Sequence, residues 1–141
     1  MRITARVRNA RDDHRVVVAT DGRSQALAVA AKTTGRGSAV NGGEFLMLAL
    51  ATCYCNDLYR EAARKGIAIG AVEVEAQADF AGVGIAALNV TYRARIASPA
   101  AQAEIDALLR ETDAVAEVQN TLRTGRSVTL EPWGAESHGP A

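Results

Sequence analysis

The sequence predicts an α+β fold, with antiparallel strands and helices packed on them. Three observations predict it. Short alternating runs fill residues 2–31 and recur after residue 70, a long helical run separates the two sets, and a helix pair follows the second set. Residues 2–9, RITARVRN, alternate as a first strand. Residues 11–13 turn the chain, and HRVVVAT is a second strand ending at an Asp21–Gly22 turn signal. SQALAVAA is a third strand, weakened by its alanines.

The Gly-rich stretch TTGRGSAVNGG, residues 33–43, is a loop before a helix. It lacks both the Walker ending and the dinucleotide fingerprint, so plain loop geometry explains it better than phosphate binding does. Residues 44–65 form the long central helix. Its first half, FLMLALA, is apolar on every face and predicts burial on several sides, within the chain or by a partner subunit. Its second half is amphipathic, with Leu58, Ala62 and Lys65 on one stripe and Glu61–Lys65 spaced for an ion pair. Gly66 follows Arg64 and Lys65 as a helix stop.

Val72, Val74, Ala76 and Ala78 then alternate with Glu73, Glu75, Gln77 and Asp79, as in a half-solvated strand. After an AGVG turn, a second strand sets Arg93 and Arg95 against those carboxylates, which predicts a hairpin. Ser98 and Pro99 open a helix whose buried stripe is Ile105, Leu108 and Leu109. Residues 113–124 form a short helix capped by Asp113 and stopped at Thr124–Gly125. RSVTLEP, residues 126–132, is a last strand, and the polar tail 132–141 frays. The whole is one domain: a three-strand part over about 1–32, the helix over about 44–65, and a C-terminal α/β part over about 68–131.

Composition narrows the function. The 141 residues are 48% apolar, enough for a core, and carry 16 basic and 16 acidic residues. That balance, with 4% aromatics, argues against a nucleic-acid partner. No signal peptide or membrane-spanning run is visible, so a cytoplasmic location and no membrane partner are expected.

The two cysteines, Cys53 and Cys55, lie in the central helix. Two apart on a helix, they point to different sides and cannot bond to each other comfortably. Each is either a small buried hydrophobe or a reactive thiol, and a reactive one needs a nearby base or cation. Glu44 suits the positive end of the helix, but lies about 13 Å along it from Cys53. Arg15, Arg23 and Arg36, before the helix, are the candidate cations, each balanced against a plain surface role. Asn56 and Asp57 are expected to face solvent or another chain. His14 at a strand edge and His138 in the tail are too sparse for a metal site, so no metal and no cofactor are expected.

The segment NGGEFLMLALATCYCNDLYREAARKGI resembles the OsmC/Ohr family, whose central helix opens with N-P-E-E/Q-L-L-x-A-x-x-x-C. Asn41, Leu46, Ala49 and Cys53 fall on that pattern, and AVAEVQNTLRTGRSV resembles the family's C-P-V-S-N-T-L segment with the strand after it. The resemblance spans roughly residues 1–130. It implies an OsmC-like fold, an intertwined homodimer, and thiol-dependent reduction of organic or inorganic hydroperoxides in oxidative-stress defence. It also implies that Cys53 is the peroxidatic thiol, assisted by a glutamate and an arginine. Glu44 is the nearest glutamate, Arg15 or Arg23 the arginine, and Cys55 and Arg36 are auxiliary candidates. The family's glutamate position falls on Gly43, and its second cysteine on Ala116, so the reductant would be an external thiol or dithiol. Two other functions fit the residues: a non-catalytic protein holding a small apolar ligand at the dimer interface, and a purely structural or interaction protein.

Overall fold

A computed structural model describes residues 1–134 of the chain. His138 and most of the tail therefore lie outside the described residues. The element order is β1 (Ile3–Asn9), β2 (His14–Thr20), β3 (Arg23–Leu27), α1 (Gly42–Lys65), β4 (Ala71–Asp79), β5 (Leu88–Ala97), α2 (Gln102–Val115) and α3 (Glu117–Arg123). The strands form two sheets, β1-β2-β3 and β4-β5. The chain packs as two compact units: Met1–Ala51 with Ala76–Tyr92, and Thr52–Glu75 with Arg93 onward.

In the first unit, β2 pairs antiparallel with β1 and with β3. The β2–β3 turn is tight because Asp21 and Gly22 both take positive φ, 47° and 81°. That backbone matches the twist of the strands it joins, and Asp-Gly is its preferred pair. The predicted third strand stops at Leu27, after which Ala31 and Ser38 close the glycine loop by a bridge.

Helix α1 begins at a capping box. The Asn41 side chain accepts from the Glu44 N–H at 2.9 Å, and the Glu44 carboxylate accepts from the Asn41 N–H at 2.7 Å. Gly43 lies under the Phe80 ring: a Cβ there would stand 3.1 Å from the ring edge. The apolar first half of α1 is only partly covered, since Phe45, Leu46 and Met47 are half-buried and Leu48 is 57% exposed. The predicted many-sided burial is thus not met within the single chain.

In the second unit, Tyr54, Leu58 and Ala62 form the buried stripe of α1, at a spacing of one turn each. Ile105, Leu108 and Thr112 are the buried residues of α2. The Tyr54 hydroxyl donates to the Leu109 carbonyl at 2.7 Å, and Lys65 pairs with Glu111, so α1 and α2 are joined by polar contacts too. Burial of the ring, with Asp113 nearby, pushes the Tyr54 phenol up to about 12. Gly66, at φ 69°, ends α1 as predicted. Glu73 and Glu75 pair with Arg95 and Arg93 across the hairpin.

Four expectations are corrected. Glu61 does not pair with Lys65; Arg60 and Arg64 hold it instead. Helix α2 starts at Gln102 from an Ala101 cap. Ser98 and Pro99 precede it, with the Ser98 hydroxyl donating to the Ala68 carbonyl at 2.6 Å. Asp113 lies inside α2 and pairs with Arg123, while Ala116 caps α3. Residues 126–132 form no strand: they pair with no described strand, and Val128 and Leu130 stand 98% and 99% exposed, with no burial to fix a register.

Two stability outcomes follow from these contacts. Asn41→Ala removes the helix cap and should lower unfolding stability by about 1 kcal/mol, read from urea melts. Tyr54→Phe removes the hydroxyl's bond to the Leu109 carbonyl and should cost about 1 kcal/mol, with loss of the late tyrosinate absorbance step near the top of the pH range.

Candidate functional site

The cluster around Cys53 is built by helix spacing and one tertiary contact. Asp57 lies one turn after Cys53, and Arg60 lies three residues after Asp57, so all three share a face of α1. Helix α3 then presents Glu117 and the Val118 backbone N–H to the same sulfur.

The Cys53 thiol donates to Asp57 Oδ2 at 3.5 Å and faces Glu117 Oε2 at 3.8 Å. Asp57 is 4% exposed within the chain itself, which corrects the expectation that it faces solvent or another chain. Its second oxygen accepts from Arg60 Nη1 at 2.7 Å. The same guanidinium bonds Glu61 at 2.9 Å and lies 3.9 Å from Glu117. Arg60 is therefore the cation of the site, and it serves three carboxylates.

These contacts set the ionisation. Burial pushes the Cys53 thiol up, the Val118 N–H opposes that rise, and Asp57 and Glu117 add to it. Burial also raises Asp57, helped by Glu117 and opposed by Arg60 and by the thiol. The thiol is thus a proton donor to a carboxylate rather than a preformed thiolate. A base within reach is what lets such a thiol act as a nucleophile.

The other residues singled out from sequence are placed elsewhere in their own contacts. Glu44 closes the α1 capping box. Arg15 on β2 binds Asp13 at 2.9 Å. Arg23 begins β3 and Arg36 sits in the glycine loop, both exposed. Cys55 is a free, half-buried thiol. Among all of these, only Cys53 belongs to the carboxylate cluster. Asp57, Arg60 and Glu117 were missed; the Cys53-x-x-x-Asp57-x-x-Arg60 spacing was the signal for two of them.

The Cys53 sulfur and one oxygen each of Asp57 and Glu117 lie within 4.8 Å of one another. A sulfur and two carboxylates are compatible with a divalent cation, but the Arg60 guanidinium already occupies the charge position on Asp57. In the first unit, an apolar groove of about 690 Å³ is lined by Gly43, Met47, Ala76, Ala78 and Phe80, with Asn41 and Glu44 at its polar edge.

The burial of Asp57 has a pH signature. A carboxyl raised on folding holds its proton longer in the folded chain, so stability should fall as pH rises from the ordinary carboxylate range through its raised value. Urea midpoints across acidic to neutral pH should show this fall in the wild type, and Asp57→Asn should remove it.

Comparison with known proteins is consistent in fold. Residues 35–131 match the family described as OsmC-like protein. An OsmC-like protein from Mycoplasma pneumoniae superposes with a TM-score of 0.62 at 20% identity, covering 88% of this chain and 87% of that one. An organic hydroperoxide resistance protein OsmC from Legionella pneumophila gives 0.59 at 19%, covering 87% and 90%. An organic hydroperoxide resistance protein from Elizabethkingia anophelis gives 0.58 at 17%, covering 89% and 90%. No curated protein matches in sequence.

Proposed function

Because the chain belongs to the OsmC-like protein family, we propose that it reduces hydroperoxides with Cys53 as the nucleophile and the adjoining carboxylates as its base. The observation that carries the reading is the thiol of Cys53 donating to Asp57, with Glu117 beside it. The similarity to proteins described as organic hydroperoxide resistance proteins supports the substrate class.

The chemistry balances on these groups. A carboxylate of the pair takes the Sγ proton, and the sulfur attacks the terminal oxygen of ROOH. The O–O bond breaks, the sulfur keeps OH as a sulfenic acid, and the carboxylic acid returns its proton to RO⁻ to give ROH. One external thiol then condenses with the sulfenic acid and releases water. A second displaces the mixed disulfide and restores Cys53. This cycle needs no second family cysteine, in keeping with Ala116 at that position. A raised thiol is a scarce but stronger nucleophile once ionised, so a base beside it is worth most here.

The homodimer and the reducing cytoplasm belong to this reading. Exposed Leu48, Ile3 and Val7 and the uncovered half of α1 support a partner subunit. In such a dimer, Arg23 or Arg15, with Glu44, would be the arginine and glutamate of the partner's share; Arg36 and Cys55 stay auxiliary. The groove by Gly43 and Phe80 favours a second reading, a bound apolar molecule, because small side chains open it and Met47 can adapt.

The test is turnover of an organic hydroperoxide with a dithiol reductant. Cys53→Ser should abolish it, Cys55→Ser should retain it, and Asp57→Asn should lower kcat/KM by about 10²-fold. Equal activity in Cys53→Ser and wild type would end the proposal.

A further inference from the structure

The charges around Cys53 point to a substrate preference. Two carboxylates face the sulfur, Asp57 at 3.5 Å and Glu117 at 3.8 Å. One guanidinium balances them, and it is already shared with Glu61. Counting the full charges, the carboxylates of Asp57, Glu117 and Glu61 still outnumber the guanidiniums of Arg60 and Arg64 that pair with them, so the immediate surroundings are acidic before the thiol itself ionises. Asp57 is almost wholly buried, so its field is little screened, whereas the Glu117 side chain is 69% exposed and forms the approach.

We infer that Asp57 and Glu117 are specificity determinants, and that the Cys53 site accepts uncharged or cationic hydroperoxides and thiols while repelling those with an anionic group near the reacting atom. This rests on Cys53 being the reactive thiol, as proposed above. The repulsion acts on any reagent reaching the sulfur. A unit charge held within several ångströms of a partly buried carboxylate changes a rate by about tenfold or more. Arg60 works against the discrimination, by cancelling one carboxylate.

Three methanethiosulfonates that differ only in charge test this on the Cys55→Ser protein, with peptide mapping to follow Cys53. One carries an ethylammonium group, one an uncharged ethyl group and one an ethylsulfonate group. The ratio of cationic to anionic rate, divided by that for a free small thiol, should be about tenfold or more at low salt and shrink at high salt. Glu117→Gln, an exposed change that leaves the core intact, should narrow it, as should Asp57→Asn, while Arg60→Gln should widen it. A normalised ratio near one, or one indifferent to Glu117→Gln and to salt, overturns the inference and leaves the peroxidase reading standing. Failure of the uncharged reagent to reach Cys53 overturns both.

Discussion

A carboxylate taken out of water must be held by donors, and Asp57, at 4% exposure, is held by two. Arg60 donates to one oxygen and the Cys53 thiol to the other. Much of the second unit is arranged around that requirement. The stripe of Tyr54, Leu58 and Ala62 faces the core, with Asp57 beside Leu58 at its edge. Helix α3 is seated where its first residue, Glu117, can share the same guanidinium. Without Arg60, two carboxylates and a sulfur would crowd with no compensating charge, a costly arrangement for a buried group.

The consequence is a thiol of unusual character for the proposed nucleophile. Reactive cysteines are often activated by neighbouring cations that lower their pKa. Here the neighbours are acids, and they work with burial to keep the proton on sulfur. For the proposed attack such a thiol must pass its proton to an acceptor, and Asp57 is already hydrogen-bonded to it. At Gly43 a Cβ would stand 3.1 Å from the Phe80 ring, so a side chain there requires the ring to shift.

Much of the fold was legible. The second strand, the Asp21–Gly22 turn, the Gly66 stop and the arginine–glutamate hairpin follow from local pattern, and local pattern is decided by nearest neighbours in the chain. The long helix was visible too, but its apolar start is only partly covered by the chain, with Leu48 57% exposed, because apolar pattern alone does not say what buries it. Residues 126–132 show why alternation alone misleads: Val128 and Leu130 have the period of a strand but pair with no described strand and stand exposed. At the site, Asp57 was misplaced on the surface because a charged residue on a helix is usually solvated. Its spacing from Cys53 and Arg60 was there to be read. Glu117, 64 residues away, was beyond any spacing rule.

The most direct measurement is an ultraviolet thiolate titration of Cys53 in the Cys55→Ser protein. The thiolate absorbance should rise only above the free-cysteine value of about 8.5, and Asp57→Asn should move the step to lower pH. A step at or below the free-cysteine value, unmoved by Asp57→Asn, would contradict the account.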